Sequence, residues 1–352
     1  MTKKIAINGF GRIGRLTFRN LLMKEGLEVV AINDLTDNKT LAHLLKYDSA
    51  HGQFPGTVDF SDDSLIINGK EIKSLTERDP AKLPWKDLEV DVVLECTGIF
   101  RTKEKAEMHL KAGAKDVIMS APAKGGEVQT IVLGVNEELL DRRKNVFSNA
   151  SCTTNCFAPV VKILNENWGI VNGSMTTTHS YTADQRLQDA PHRDLRRARA
   201  AAFNIIPTST GAAKATGIVI PEVAGKIFAS AMRVPVITGS LVEFICNLEK
   251  EATAEEINAK FKEAADGPMK GILQYTEDPI VSSDIIGNKH SSIFDAEMTK
   301  TDGKLIKIVS WYDNEAGYSA RLADFAELFL LKKRTMYKKN THWSLQSVES
   351  TP

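Results

Sequence analysis

The hydrophobic pattern of residues 1–150 alternates short apolar runs with segments of helical periodicity. After the first run, Ile13, Leu16 and Leu21 recur at the spacing of one helix face, so the pattern predicts a strand followed by a helix. The runs are continuous in Val, Ile and Leu, which is typical of parallel strands buried on both faces. They lie at 5–8, 29–32, 90–95, 117–119 and 130–133. Residues 47–73 are richer in Gly, Asp and Ser and predict an irregular or antiparallel excursion.

The pattern changes in the second half of the chain. Strands grouped together favour a mostly antiparallel sheet with helices on one side. The fold class is therefore α/β plus α+β, with a parallel sheet first and a mostly antiparallel sheet second. The final residues, 333–352, lack periodicity and predict a loosely ordered tail. The predicted strand regions are 170–180, 227–248 and 305–312, and the predicted helices are 197–203, 211–217 and 253–265.

A glycine-rich turn directly follows the first predicted strand. Gly9, Gly11 and Gly14 open the first helix in a Gly-x-Gly-x-x-Gly pattern, and Asp34 ends the second strand 20 positions later. In that pattern the glycines permit a tight turn, close approach of a pyrophosphate and helix packing, while the acid binds a ribose. The sequence therefore predicts an N-terminal Rossmann dinucleotide-binding domain. Candidate cofactor neighbours at the ends of later strands are Thr97, Gly98 and Ser120.

Cys152 lies in a polar stretch, Ser148 to Asn155, that leads into a helical pattern. Unpaired N–H groups and the dipole at a helix N-terminus lower a thiol's pKa, which makes the cysteine a candidate nucleophile. A nucleophile needs a base, and His179 ends a Thr-rich run downstream. A buried, inert thiol is the alternative, but the flanking residues are too polar to favour it.

Composition excludes several classes of protein. The 45 basic and 45 acidic residues balance, so no global charge favours nucleic acid or a membrane surface. No apolar run approaches the roughly 18 residues of a membrane-spanning helix. Four cysteines without a Cys-x-x-Cys pair argue against a zinc site, and no metal is expected. Free thiols without a secretory signal indicate a reducing cytoplasm.

The second half also offers donors of the type that bind phosphate. Hydroxyl and backbone N–H groups combined with arginines are suited to anions. The arginine-rich run at 193–199 would also fit a solvated charged helix face or, less well because it lacks aromatics, a nucleic-acid surface. The candidate anion ligands are Ser151, Thr153, Thr182, Thr208, Ser209, Thr210, Gly211, Arg196, Arg197, Arg199 and Arg233.

Four stretches together resemble phosphorylating glyceraldehyde-3-phosphate dehydrogenases, and the resemblance covers about residues 1–332. It implies an NAD-dependent glycolytic homotetramer that acts on glyceraldehyde 3-phosphate and inorganic phosphate. It also implies a Rossmann domain of residues 1–151 plus about 317–332 and a catalytic domain of residues 152–316. The stretches are 8–15, 148–155, 192–201 and 311–318.

The resemblance assigns roles to individual residues. Cys152 matches the nucleophile and His179 its base. Thr182 and Arg233 match the site for the substrate's C3 phosphate. The inorganic phosphate site is matched by Ser151, Thr153, Thr210, Gly211 and Arg197. Asn314 matches the residue that holds the nicotinamide amide, Arg78 matches a loop beside the adenine, and Arg12, Ile13 and Tyr318 complete the implied NAD site.

Some features depart from the family pattern or leave alternatives open. Residues 235–240 differ from the family's usual loop after the phosphate-binding arginine. Ala190 resembles NADP-tolerant forms, whereas Pro191 and Asp34 favour NAD. Erythrose-4-phosphate dehydrogenase is the nearest enzymatic alternative, although the intact phosphate-binding set disfavours it. Aspartate-semialdehyde dehydrogenase differs in its glycine-rich turn, and nucleic acid is not expected as a primary partner.

Overall fold

The computed structural model describes residues 2–331, which form two sheets in sequence order. The predicted tail at 333–352, and residue 332 of the predicted C-terminal segment, lie outside the described residues. None of the helices between residues 2 and 331 has the length and apolarity needed to cross a membrane.

The first sheet has the strand order β3-β4-β5-β2-β1-β6-β7-β9-β8. Its pairs from β5 through β8 are parallel, as the continuous apolar runs predicted. The predicted excursion at 47–73 contributes the antiparallel pairs β3–β4 and β4–β5. The run predicted at 130–133 forms a strand only at its start. The elements are β1 Lys3–Asn8, α1 Arg12–Leu21, β2 Leu27–Asn33, α2 Asn38–Lys46, β3 Val58–Phe60, β4 Ser64–Ile67, β5 Lys70–Leu75, β6 Val92–Glu95, α3 Lys103–Lys111, β7 Asp116–Met119, β8 Gln129–Thr130 and β9 Val146–Ser148.

The second sheet has the order β11-β12-β10-β13-β16-β15-β14 and is mostly antiparallel, as predicted. Only β10–β12 and β14–β15 are parallel pairs among its described strands. The elements are α4 Cys152–Trp168, β10 Ile170–Ser180, β11 Ile206–Thr208, α5 Ala212–Val219, β12 Ile227–Val234, β13 Ser240–Leu248, α6 Ala254–Asp266, β14 Leu273–Thr276, β15 Ser292–Asp302, β16 Leu305–Tyr312 and α7 Ala316–Leu331.

The helix predicted at 197–203 is wrong, because this segment consists of turns. Its backbone forms a hydrogen bond to a distant segment instead of a helical one: the Ala201 N–H donates to Arg186 O at 2.9 Å. Arg199 is likewise drawn to Asp189, with Nε 2.8 Å from the carboxylate. Contacts with residues 184–190 therefore override the local helical periodicity.

Helix α7 returns from the second sheet to the first. It packs against α1, and its apolar residues belong to the core cluster of the first sheet. Phe325 and Phe329 contact the Phe147 ring of β9, with centroid distances of 6.2 and 5.0 Å. The last described helix thus completes the core of the N-terminal half.

Candidate active site

A sharp turn connects the first sheet to the helix that carries Cys152. Between β9 and α4, Ala150 is fully buried and has a left-handed backbone with φ +55°, which is uncommon for a residue with a side chain. Ser151 caps the helix, since its Oγ accepts from the Thr154 N–H at 3.1 Å. The Tyr318 hydroxyl of α7 donates to Ala150 O at 2.9 Å and holds the turn from the other side. Cys152 is thereby fixed at the first position of α4.

Cys152 and His179 lie within contact distance. The Cys152 Sγ is 3.4 Å from His179 Nε2. His179 Nδ1 is 2.7 Å from Ser180 O, which only accepts, and 2.8 Å from Arg233 Nη1, which only donates, so the two contacts call for opposite tautomers. In the tautomer that donates from Nδ1 to Ser180 O, Nε2 presents a lone pair to the thiol. Cys156 contrasts with this arrangement, because its Sγ is fully buried and points toward Ser292 Oγ at 3.6 Å.

The protonation of this pair is set by burial. Burial raises the pKa of the Cys152 thiol, and the positive charge of Arg233 opposes that rise. Burial, followed by the charge of Arg233, lowers the pKa of His179 to about 3. Burial thus outweighs the helix N-terminus, whereas the sequence pattern predicted a lowered pKa for this thiol. Arg233 is the neighbouring cation that favours the thiolate form.

Arg233 borders the pair without a carboxylate partner. Its Nη1 lies 2.8 Å from His179 Nδ1 and donates to Ser180 O at 2.9 Å. No ion pair joins Arg233 to an acid within residues 2–331, and its buried Nε has no hydrogen-bond partner there. Such an uncompensated guanidinium favours an anion in the cleft.

Several of the other predicted phosphate ligands are engaged in local hydrogen bonds. Arg197 donates from Nη1 to Asp184 at 2.6 Å and from Nε to Thr208 Oγ1 at 3.0 Å. Its charge nevertheless contributes to the lowered pKa values of His179 and Arg233. The Thr182 N–H donates to Gln185 Oε1 at 3.3 Å. Thr210 Oγ1 accepts from the Ala212 N–H at the start of α5, where Gly211 is the N-cap residue.

A directed chain of hydroxyl groups lies behind the cysteine. The Thr177 hydroxyl donates to Leu241 O at 2.9 Å, so its oxygen accepts from Tyr312, 2.9 Å away. The Tyr312 oxygen then accepts from Thr153, also at 2.9 Å. The Tyr312 ring meets His179 edge to face at a centroid distance of 5.8 Å. Tyr312, which lies on a different strand, was assigned no role from the sequence. The period-2 alternation of β10 does place Thr177 and His179 on the same face of the sheet.

Asn314 is held by the loop that departs from the family pattern. Its Oδ1 accepts from Ser180 Oγ at 2.7 Å, Ser240 Oγ at 2.9 Å and the Gly239 N–H at 3.3 Å. Thr238 Oγ1 donates to the adjacent Asp313 at 2.7 Å. Because Oδ1 is fully used as an acceptor, the amide is locked with Nδ2 as its remaining donor.

The glycine-rich turn has the shape of a pyrophosphate cradle. Gly9 has φ +92°, and a Cβ there would lie 2.7 Å from the Thr97 nitrogen. At Gly14 a Cβ would lie 2.2 Å from Gly9 O, so only glycine permits this helix–strand contact. No atom lies within 4 Å of a Cβ at Gly11. The open space above Gly11 is where a phosphate can approach the backbone.

The remaining predicted cofactor residues lie along the same sheet edge. Asp34 accepts from the Phe10 N–H at 2.8 Å, and Ser120 hydrogen-bonds the Cys96 thiol. Arg12 pairs with Asp48 and Glu315, both at 2.5 Å. The other predicted residues are Ile13, which packs on the core, Thr97 and Gly98 after β6, and the exposed Arg78.

Comparison with known proteins identifies the family. Residues 3–103 match the model of the glyceraldehyde 3-phosphate dehydrogenase NAD binding domain, and residues 151–314 match that of the C-terminal domain. Glyceraldehyde-3-phosphate dehydrogenase of Thermotoga maritima is 60% identical over 330 residues, or 93% of this chain and 99% of the relative. Those of Geobacillus stearothermophilus and Mycolicibacterium smegmatis are 57% and 56% identical, each over 93% of this chain and 98% of the relative. The chain belongs to the glyceraldehyde-3-phosphate dehydrogenase family and carries its NAD-binding domain.

Proposed function

We propose that this enzyme oxidises D-glyceraldehyde 3-phosphate to 1,3-bisphosphoglycerate with NAD and inorganic phosphate, as a step of glycolysis. The observation that carries the proposal is the arrangement in which Cys152 Sγ lies 3.4 Å from His179 Nε2, beside the guanidinium of Arg233, which has no carboxylate partner between residues 2 and 331. A nucleophilic thiol, a base and an anion site are the groups that a phosphorylated aldehyde requires. The names of the relatives support the same substrate.

Cys152 begins the reaction as a nucleophile. As its proton moves to Nε2 of His179, Sγ attacks the aldehyde carbon. Nε2 then returns that proton to the new alkoxide oxygen, which gives the thiohemiacetal and leaves His179 neutral again. The Cys152 backbone N–H at the start of α4, together with His179, stabilises the developing oxyanion. Arg233 and Thr182 bind the C3 phosphate and thereby hold the aldehyde carbon at the sulfur.

The second half of the reaction conserves the oxidation energy in a thioester. His179 takes the hydroxyl proton while the carbon loses a hydride, which leaves an acyl group on Cys152. Inorganic phosphate, bound by Ser151, Thr153, Thr210, Gly211 and Arg197, then attacks the acyl carbon and releases the product. For Arg197 this requires exchange of its ion pair with Asp184 for the phosphate.

When bound, NAD would supply the hydride acceptor, and the residues present fit it. The open space at Gly11 admits a pyrophosphate, and Asp34 follows β2 where a ribose would lie. Nδ2 of Asn314 is the amide donor for the nicotinamide carboxamide. Arg12, Ile13, Gly9, Gly14, Arg78, Thr97, Gly98, Ser120 and Tyr318 complete the proposed site.

We also propose the division into a Rossmann domain of residues 1–151 plus about 317–332 and a catalytic domain of residues 152–316. The packing of α7 into the first core supports this division. The homotetramer is proposed from several exposed large apolar side chains in the second half, which a partner copy would cover. They are Leu187, Leu195, Phe203, Ile205 and Phe228, between 70% and 86% exposed. We also propose a cytoplasmic location, which the four free thiols support.

The direct test is NADH absorbance on mixing the purified protein with glyceraldehyde 3-phosphate, NAD and phosphate. We expect rapid NADH formation that depends on phosphate. Turnover on erythrose 4-phosphate without phosphate dependence would instead identify erythrose-4-phosphate dehydrogenase. Absence of turnover on either aldehyde would refute the proposed reaction. Sedimentation at four times the chain mass of 38.8 kDa tests the tetramer.

A further inference from the structure

A buried row of polar side chains crosses the first sheet directly beneath the proposed cofactor site. Asn33, Asn8 and Glu95 are the last residues of β2, β1 and β6, and the strand registers place them side by side. All three are at most 5% exposed. Asn33 Nδ2 donates to Asn8 Oδ1 at 2.7 Å, and Asn8 Nδ2 donates to Glu95 Oε2 at 2.6 Å. Burying polar side chains in a sheet core costs desolvation free energy that apolar residues would not, so this row calls for a functional explanation.

The row continues into α3 and fixes the protonation of a histidine. The Trp85 indole N–H donates to His109 Nδ1 at 3.0 Å. Because indole nitrogen is a donor only, Nδ1 must be the acceptor and the proton of His109 lies on Nε2. Nε2 is 3.1 Å from Glu95 Oε2, so the neutral imidazole donates to the carboxylate. Both Glu95 and His109 are essentially inaccessible, at 2% and 0% exposure.

Glu95 is surrounded only by donors. On its other oxygen, Oε1, it accepts from the Thr97 N–H at 2.8 Å and from the Thr97 hydroxyl. With Asn8 and His109 on Oε2, the two oxygens accept four hydrogen bonds, which suits an ionised carboxylate and leaves a protonated one with a misplaced donor. No lysine or arginine pairs with Glu95 among residues 2–331. The carboxylate is therefore held by oriented dipoles.

Each end of the row is attached to a segment of the proposed NAD site. Thr97 is bound directly, and its nitrogen packs where a Cβ on Gly9 would lie. Asn33 adjoins Asp34 in sequence. It also exchanges hydrogen bonds with the backbone of Glu77, next to Arg78, through Nδ2 to Glu77 O and Glu77 N–H to Oδ1, both at 2.9 Å. The row thus adds side-chain links between three loops whose preceding strands are already paired by backbone hydrogen bonds.

We propose that Glu95, oriented by His109, is a positioning residue for NAD: it holds the Thr97–Gly98 loop against the glycine-rich turn and, through Asn8 and Asn33, sets the spacing of the Asp34 and Arg78 segments. This inference rests on the proposed NAD-dependent function. The carboxylate lies below the loop and does not itself contact the cofactor. Its role is to pre-form the site, which reduces the ordering cost of binding.

The test is Glu95→Gln, which keeps the volume but replaces an acceptor with an NH₂ donor facing other donors. The matched control is Asp295→Asn, a buried carboxylate in the second sheet that accepts from the Trp311 indole at 3.0 Å. Calorimetric titrations would use NAD and, separately, ADP-ribose, which lacks the nicotinamide. We expect roughly tenfold weaker binding of both ligands to Glu95→Gln, in line with loss of a charge-assisted hydrogen bond. The control should bind both as wild type does.

Steady-state kinetics distinguish a specific effect on NAD binding from a general loss of structure in the variant. In Glu95→Gln the KM for NAD should rise by a similar factor, whereas kcat at saturating NAD and the KM for the aldehyde should change less than twofold. NAD affinity within twofold of wild type would overturn the inference, whether or not the melting temperature falls. If Glu95→Gln does not fold, His109→Asn removes one donor and leaves the carboxylate. It should weaken NAD binding severalfold, and unchanged affinity there would equally overturn the inference. Failure of the wild type to bind NAD would instead refute the proposed function.

Discussion

His51 lies at the centre of a buried charge cluster that connects the two halves of the chain. Its Nε2 is 2.9 Å from Asp313, and its Nδ1 is 3.6 Å from Asp48 and 3.7 Å from Glu315. Arg12 pairs with Asp48 and Glu315 in the same cluster. Burial opposes a charge on the ring, and Arg12 Nη2 lies 3.1 Å from Nδ1. The hydrogen bond to Asp313 and the neighbouring carboxylates of Asp48 and Glu315 nevertheless outweigh burial and raise the pKa of His51 to about 9.

This raised pKa makes stability depend on pH in a defined direction. The unfolded chain has the ordinary histidine pKa of about 6.5. The imidazolium therefore stabilises the fold fully below pH about 6.5, and this contribution is lost as pH rises through about 9. A difference of about 2.5 pH units corresponds to about 3 kcal/mol. In a chain of this size, that is a shift of several degrees in melting temperature.

The assay is thermal unfolding at a fixed scan rate between pH 6 and pH 10. His51→Gln should melt several degrees below wild type at pH 6, and the gap should narrow as the pH passes 9. His43→Gln is the control, because His43 is exposed on α2 and has no acidic partner among the described residues. A gap between wild type and His51→Gln that stays constant from pH 6 to pH 10 would refute the ion-pair account.

Three further outcomes are expected. Cys152→Ala should abolish oxidation yet bind NAD calorimetrically, and measurable turnover would exclude the covalent mechanism. Arg233→Ala should raise the KM for the phosphorylated aldehyde and Arg197→Ala that for inorganic phosphate, each by roughly 10–100-fold. Equal effects of both variants on both KM values would undo this assignment. Asp34→Ala should raise kcat/KM with NADP relative to NAD, because the carboxylate repels the 2′-phosphate more than the small Ala190 accommodates it; an NADP preference in the wild type would contradict the claim.

Local sequence signals identified the elements that depend on local chemistry. The glycine-rich turn could be predicted because backbone geometry at Gly9 and Gly14 tolerates no side chain. The helix after Cys152 could be predicted from its apolar spacing, and its Ser151 cap is a common residue type at that position. These features are encoded within a few residues and need no tertiary information.

Contacts that depend on the register between strands could not be predicted from local sequence signals. His179 and Arg233 are direct partners across the parallel pair β10–β12, although 54 residues separate them. Glu95 and His109 carry no recognisable spacing, because their contact depends on where α3 packs against the first sheet. At residues 197–203 the local pattern predicted a helix that does not form, because contacts with residues 184–190 hold the segment in turns.

The Asn149–Ser151 turn has a mechanical consequence. It is the tail of a strand in the first sheet and the cap of a helix in the second core, so it belongs to both bodies. If one body rotates relative to the other about this junction, atoms at the rim of the cleft sweep long arcs while those beside the pivot sweep short ones. Cys152 follows the pivot directly. Such a rotation would therefore displace its sulfur less than the atoms at the rim of the cleft.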